Sequence, residues 1–161
     1  MTIGEATVPG QRDGSGYRVV AAVDGSDPSV AALRWAARRA ELASGSLDAV
    51  MAWQYPADLT GYGYPSIAAM DDVDYAQIAE QVVADAIGQA VGRGVRVPVR
   101  PVVLEGRPAD VLIEAAAGAD LLVVGSRGHG GFTHALLGSL SRYCTEHAPC
   151  PVAVIRGRYP R

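Results

Sequence analysis

The sequence predicts an α/β fold in which a doubly wound parallel sheet carries helices on both faces. Three observations lead to this prediction. Short apolar runs alternate with helical segments, the connections between runs are long enough to contain a helix, and most runs lack the strict alternation of a half-exposed strand. With 161 residues, of which 49% are hydrophobic, the chain is expected to form a single domain with its own core.

Five runs are the candidate strands. They are short and apolar or β-branched, which is typical of strands that are buried on both faces. In chain order they are Arg18–Val23, Leu47–Trp53, Val99–Leu104, Leu121–Val124 and Pro151–Ile155.

Four helical segments separate these runs. Three have recognisable starts: Asp27 can cap the first with Pro28 in its first turn, Pro108 opens the third, and Ser139 can cap the fourth. The order βαβαβαβαβ favours right-handed crossovers. The segments are Pro28–Ala43, Asp74–Gly92, Pro108–Ala117 and Leu140–His147.

The charged residues are unusual because all 14 basic residues are arginines. The lack of lysine excludes the phosphate-binding lysine of a P-loop and any lysine Schiff base. A formal net charge of −3 provides no basic surface for nucleic acid, and no apolar stretch approaches the roughly 18 residues of a membrane span. We therefore expect a cytoplasmic protein with no nucleic-acid or membrane partner. Residues 1–17 would be a flexible leader, 18–157 the domain and 158–161 a short basic tail.

Polar residues are concentrated after the first and fourth strands. Asp24-Gly25-Ser26-Asp27 follows the first strand, Glu105-Gly106-Arg107 follows the third, and the glycine-rich loop Gly125–Ser141 follows the fourth. Ligands of doubly wound sheets bind at the carboxyl ends of strands where the strand order reverses. In a sheet of order 3-2-1-4-5, strands one and four would be neighbours and their polar ends would share one site.

The loop Gly125–Ser141 matches none of the commonest phosphate-binding or nucleophile motifs. It lacks the Walker lysine, and Thr133 stands where a dinucleotide fingerprint needs glycine or alanine. Val124 stands where a nucleophile elbow around Ser126 needs glycine. The spacing that remains is Gly125-x2-Gly128-x9-Gly138-Ser139, between a buried strand and the start of a helix.

Two interpretations of this spacing remain open from the residues alone, a simple turn and a phosphate-binding loop. Glycines let backbone amides approach an anion, and Ser139 and Ser141 add hydroxyls at the positive end of a helix. Arg127 and Arg142 could supply the charge that lysine would otherwise give. Asp24 is open in the same way, since it could cap a turn or helix or contact a ligand.

The chain resembles the universal stress protein family. The resemblance rests on Gly125-x2-Gly128-x9-Gly138-Ser139, on Val23-Asp24-Gly25-Ser26 and on Cys150-Pro151-Val152-Ala153-Val154, and it spans roughly 18–156. The three-glycine spacing is similar to that of the ATP-binding branch. The resemblance implies a Rossmann-like, five-stranded sheet of order 3-2-1-4-5 and a nucleotide site where strands one and four diverge. It also implies a homodimer formed through the last strand, Val152–Ile155.

The same resemblance implies roles for individual residues. Asp24 would face the nucleoside, and the backbone of Ala22 and Ala52 would lie near the base. Many relatives carry histidine and valine where this chain has Met51-Ala52, so the base pocket is expected to be shaped differently. ATP could be accompanied by Mg²⁺, and no catalytic or metal-ligating residue is expected. The expected ATP-binding residues are Ala22, Val23, Asp24, Ala52, Gly106, Gly125, Arg127, Gly128, Gly138, Ser139, Leu140 and Ser141.

Cys144, His147 and Cys150 raise a zinc hypothesis, because C-x2-H-x2-C supplies three soft ligands, two of them on one helix face. A fourth ligand would have to come from elsewhere, and burial of both thiols near the last strand is the alternative. His129 and His134 lack a nucleophile with an orienting carboxylate, which favours surface or phosphate-side positions over catalysis.

The longest irregular segment, Gln54–Met70, follows strand two at the same edge of the sheet and carries Tyr55, Tyr62 and Tyr64. It is either a flap over the ligand or a surface connection.

Three functions are compatible with these observations. The predicted function is an ATP-binding regulatory module of the stress response with at most slow hydrolysis, because no general base with an orienting partner is evident. One alternative is a PP-loop-like adenylating enzyme, whose Ser-Gly-Gly-x-Asp-Ser loop is approximated by Asp24-Gly25-Ser26-Asp27-Pro28-Ser29. The other alternative is a dimeric interaction protein with a vestigial pocket.

Overall fold

The computed structural model describes residues 16–54, 73–92, 94–127 and 137–156. The expected basic tail, Gly128 and nearly all of the expected leader and of Gln54–Met70 lie outside these ranges. The described ranges contain β1 (Arg18–Ala22), α1 (Asp27–Leu42), β2 (Ser46–Trp53), α2 (Tyr75–Ala90), β3 (Val99–Glu105), α3 (Pro108–Ala115), β4 (Leu121–Gly125), α4 (Ser139–His147) and β5 (Val152–Ile155).

The five strands form one parallel sheet in the order β3-β2-β1-β4-β5, which confirms the predicted fold class and strand order. In the central pairs, Val19 of β1 lies beside Leu47 of β2 and beside Leu121 of β4. The order reverses between β1 and β4, because β2 and β3 extend to one side and β5 to the other. The residues that follow β1 and β4 are therefore brought to the same edge of the sheet.

Both faces of the sheet are buried, as the missing alternation predicts. Val19 and Ala21 of β1 lie in a core cluster with α1 and α2, whereas Val20 lies in a second cluster with α3 and α4. Within the described ranges, none of the helices combines the length and apolar character of a membrane span. Small side chains let α1 approach the sheet closely. Four alanines of this helix have no exposed surface: Ala32, Ala36, Ala37 and Ala40.

Two of the predicted helix caps are wrong, although every element boundary is within two residues of the prediction. The N-cap of α1 is Ser26, whose side chain accepts from the N–H of Ser29, and Asp27 is already helical. The N-cap of α4 is Gly138, and Ser139 is the first residue of that helix. In both cases the cap is the last residue with extended backbone, a property that a list of cap-forming residue types does not fix. The predicted start of α3 at Pro108 is confirmed.

A buried ion cluster lies near the amino ends of β1, β2 and β3. Asp48, which is 4% exposed, accepts from Nε of Arg18 at 2.9 Å and from Nε and Nη2 of Arg100 at 2.9 and 2.8 Å. Arg18 also donates to the carbonyl oxygens of Ala115 and Ala117, at 3.0 and 3.3 Å. The cluster therefore joins three strands to the end of α3.

Replacing Asp48 by alanine is expected to lower the free energy of unfolding by about 3–5 kcal/mol, because the buried Arg18 would lose its counter-ion. Urea denaturation followed by circular dichroism measures the loss. Glu146→Ala is the control, since it breaks an exposed ion pair with Arg142 and should cost less than about 1 kcal/mol. Similar losses in the two variants would contradict the role given to Asp48.

Candidate functional site

A cleft of about 1050 Å³ opens where the strand order reverses. The carboxyl ends of β1, β2 and β4 form its floor, and the amino-terminal parts of α3 and α4 form its walls. This is the edge at which the polar residues after strands one and four were expected to meet.

Ten of the twelve expected ATP-binding residues line this cleft. Gly106 does not: its N–H donates to the carbonyl of Trp53 at 2.8 Å, and its φ of 144° turns the chain so that Arg107 and Pro108 border the cleft instead. Gly128 lies outside the described residues, as do His129 and His134. The ten lining residues are Ala22, Val23, Asp24, Ala52, Gly125, Arg127, Gly138, Ser139, Leu140 and Ser141.

The turn after β1 is fixed by Asp24. Its Oδ1 accepts from both the backbone N–H and the hydroxyl of Ser26, with 2.9 Å to the backbone nitrogen. Gly25 follows with a φ of 80°, and a Cβ there would lie 2.9 Å from a methyl group of Val82 on α2. The turn-capping interpretation of Asp24 is thus correct, and the same carboxylate also borders the cleft.

The start of α4 has no side-chain cap within the described part of the chain. Gly138 donates its N–H to the carbonyl of Ser126 at 2.7 Å, which holds the two ends of the glycine-rich loop together. The first amide groups of a helix have no acceptor inside the helix and carry its partial positive charge. Ser139, Leu140 and Ser141, which supply these groups, all line the cleft.

Gly125 is the point where β4 meets the start of α1. A Cβ on Gly125 would lie 3.1 Å from the carbonyl carbon and oxygen of Pro28, both of them backbone atoms. The carbonyl of Gly125 also accepts from the hydroxyl of Ser141 at 2.6 Å. Ser141 is 3% exposed, so this bond anchors α4 to the end of β4.

The apolar floor of the cleft was missed by sequence reasoning. Val50, Leu112 and Val124 are nearly fully buried and lie beneath the cleft, next to Pro108. Val50 and Val124 belong to the core cluster that faces α3 and α4. Counting two positions back from Ala52 along β2 could have found Val50, whereas Leu112 and Val124 lie on other elements, α3 and β4.

The described lining of the cleft has a positive net charge, whereas the whole chain has a negative one. The described lining carries three arginines against two carboxylates, whereas the chain has a formal net charge of −3. The charged lining residues are Asp24, Arg107, Arg127, Arg142 and Glu146.

The zinc hypothesis is not supported by the positions of Cys144, His147 and Cys150, because no described group of three or more histidine, cysteine, aspartate or glutamate side chains is arranged to hold a metal ion. Cys144 is fully buried, and burial raises the pKa of its thiol to about 11. Its side chain therefore stays protonated at neutral pH. The ring of His147 stacks on Tyr143, with 4.1 Å between centroids.

The two described glycines of the loop give a matched test of this geometry. Gly125→Ala is expected to lower the free energy of unfolding by about 1–3 kcal/mol, because the added methyl presses on the backbone of Pro28. Gly138→Ala should change it by less than about 1 kcal/mol, since the nearest atom is 3.4 Å away and φ is −66°. Chemical denaturation of both variants measures the difference, and a larger loss at Gly138 would contradict the packing described for Gly125.

Comparison with known proteins extends these observations. A family model described as "Universal stress protein family" matches residues 17–156. A universal stress protein of Mycolicibacterium smegmatis is 33% identical over 147 residues, which are 88% of this chain and 48% of that protein. The chain spans about half the length of the curated relatives it matches.

Solved structures share the same fold. A universal stress protein family member from Burkholderia pseudomallei has a TM-score of 0.59 and 26% identity, covering 86% of this chain and 94% of its own. A universal stress protein crystallised in complex with cAMP has a TM-score of 0.64 and 24% identity, covering 89% and 98%. Because the family model matches residues 17–156 and the Mycolicibacterium smegmatis relative is 33% identical over 88% of this chain, this chain belongs to the universal stress protein family.

Proposed function

We propose that this protein is a cytoplasmic, ATP-binding regulatory module of the stress response, which binds ATP, with or without Mg²⁺, in the cleft and hydrolyses it slowly or not at all. The observation that carries the proposal is the uncapped start of α4, which borders a cleft of nucleotide size together with Asp24. ATP presents a flat aromatic base, a polar ribose and an anionic triphosphate, and the cleft offers a matching surface for each.

The base would lie on the apolar floor. Val50, Leu112 and Val124 are almost fully buried, so the surface that a flat aromatic ring can cover comes from the partly buried side chains packed against them, those of Ala22, Ala52 and Leu140. Ala22 and Ala52 border this floor and have small side chains, so a base could approach their backbone groups closely. Specificity for adenine would then depend on main-chain hydrogen bonds rather than on a dedicated side chain.

The ribose would lie beside Asp24. Because both hydrogen bonds from Ser26 converge on Oδ1, the carboxylate is held in place before a ligand arrives. A carboxylate accepts hydrogen bonds from ribose hydroxyls, the role that acidic residues have in other doubly wound nucleotide sites.

The phosphates would lie at the start of α4. Gly138 has no side chain to keep an anion away, and the amides of Ser139 and Leu140 belong to the positive end of the helix. Gly125 and the exposed Arg127 border the same part of the cleft. The relative in complex with cAMP supports a nucleotide as the ligand class.

Slow hydrolysis is proposed because neither carboxylate of the described lining is both available and oriented as a general base. Asp24 fixes its own turn, and Glu146 is an exposed side chain whose ion-pair partner is the equally exposed Arg142, so this pair does not fix its carboxylate against a water. A general base must be placed against the attacking water and kept available for its proton.

Asp24→Asn is expected to weaken ATP binding about tenfold, since the amide oxygen can still accept from Ser26 while the charge that attracts ribose hydroxyls is lost. Asp74→Asn is the matched control, because Asp74 likewise accepts a backbone N–H, that of Gln77, and lies outside the cleft. Isothermal titration calorimetry measures both affinities. Equal affinities in the two variants would contradict a ligand-binding role for Asp24.

The two alternative functions predict different results with the unaltered protein. An adenylating enzyme would release pyrophosphate rapidly when given an acceptor together with ATP. A vestigial pocket would give neither calorimetric heat nor a thermal shift with ATP, and mass spectrometry would find no nucleotide in the purified protein.

We also propose a homodimer formed through β5. This strand is at the edge of the sheet, and its four residues Val152–Ile155 are apolar and only partly buried. Pro151 and Ile155 direct their carbonyls to β4, so the backbone groups of Val154 are directed away from the sheet. Among the described strands none pairs with the outer side of β5, and an apolar edge of this kind pairs readily with a second strand.

Val154→Pro is expected to shift the protein to monomers, because proline removes an outward N–H without removing a bond to β4. Val154→Thr keeps that N–H and a similar side-chain volume, so it should remain dimeric. Sedimentation equilibrium measures the two masses. A monomeric wild-type protein, or a dimeric proline variant that retains the native circular dichroism spectrum, would contradict an interface through this edge.

A further inference from the structure

Two arginines that the ATP site as described does not use lie on different walls of the same cleft. Arg107 is the residue before α3, and Arg142 lies in the first part of α4. Both side chains are highly exposed, at 73% and 74%, and both residues line the cleft.

Both arginines are placed where a helix disfavours a cation. The amino-terminal end of a helix carries partial positive charge, so a guanidinium there is repelled unless an anion is near. Arg107 is the N-cap of α3 and makes no side-chain cap hydrogen bond, and Arg142 donates its backbone N–H to Gly138, the N-cap of α4. Departures from a local rule of this kind concentrate at functional sites.

The partners of these arginines are held loosely. Nη1 of Arg107 lies 3.6 Å from Oδ2 of Asp110, and Nε of Arg142 lies 3.1 Å from Oε1 of Glu146. In each pair the carboxylate is about one helical turn further along the chain than the arginine. Exposed pairs of this type contribute only about 0.3–0.5 kcal/mol. Either guanidinium can therefore exchange its carboxylate for a stronger anion at little cost.

We propose that Arg107 and Arg142 form a two-sided clamp on the outer phosphates of the ligand and make the cleft selective for nucleoside di- and triphosphates over monophosphates. This inference rests on the proposed ATP site. The phosphate nearest the ribose binds at the start of α4, and the phosphates beyond it reach the rim, where guanidinium groups bind phosphate oxygens in pairs. A monophosphate ends before the rim and gains nothing from the clamp.

The selectivity is tested by calorimetric titration of ATP and AMP into the wild-type protein and three variants. Arg107→Gln and Arg142→Gln are each expected to weaken ATP binding about tenfold, and AMP binding less than about threefold. Arg96→Gln is the control, because Arg96 is also exposed but does not line the cleft. The thermal unfolding midpoints should agree, since the two exposed pairs contribute little to stability.

Glu146→Gln is expected to change the affinity for ATP in the opposite direction to the arginine variants. It frees Arg142 from its carboxylate and removes a negative charge from the cleft lining, so ATP binding should tighten about two- to fivefold. A variant that only disturbed α4 would weaken binding instead, which separates release of the clamp from structural damage.

The outcomes distinguish the clamp from the site on which it rests. If the wild-type protein binds ATP and the arginine variants keep the wild-type ratio of ATP to AMP affinity, the clamp is wrong and the proposed site stands. If the wild-type protein binds neither nucleotide, both are wrong. Loss of ATP affinity with AMP affinity retained, together with tighter ATP binding by Glu146→Gln, supports the clamp.

Discussion

The amide groups at the start of α4 lack a side-chain cap within the described chain, and the properties of the cleft depend on this constraint. Gly138, the N-cap, donates its own N–H to the carbonyl of Ser126. Because glycine has no side chain, it leaves the next amides beside the open space of the cleft. The Ser141 hydroxyl, bound to the carbonyl of Gly125, fixes the helix against the end of β4. A rigid set of donors without an internal acceptor is the arrangement that binds an anion with little reorganisation.

The ion cluster that stabilises the fold lies at the amino ends of the strands, and the proposed ligand site lies at their carboxyl ends. At the amino ends of the strands, Asp48 joins Arg18 and Arg100 in a buried cluster whose hydrogen bonds also reach the end of α3. At the carboxyl ends, exposed arginines line an open cleft and have loosely held partners. Buried ions with satisfied hydrogen bonds hold the elements in place, while exposed ions can change partners when a ligand binds. Arginine therefore stabilises the fold at the amino ends of the strands, and we propose that it binds phosphate at their carboxyl ends.

The fold followed from the sequence more completely than the site did. Apolar runs without alternation predicted buried parallel strands, and the strand order, implied by the family resemblance, placed Asp24 and Gly138 at one edge. The caps at Ser26 and Gly138 could not be predicted, because they depend on where the backbone stops being extended and several adjacent residues can cap. Arg142 was a candidate from its place next to the glycine-rich loop, but the apolar floor and the position of Arg107 required the packing of α3 beside α4, which no local pattern specifies.

A titration of ¹⁵N-labelled protein with ATP, followed through the backbone amide resonances, tests most directly whether the start of α4 binds the phosphates. We expect the largest shifts at Ser139, Leu140 and Ser141, with a second group around Asp24. Saturating ATP that leaves the α4 amides unshifted, or shifts centred on the separate groove lined by Arg34 and Val95, would contradict binding at this helix.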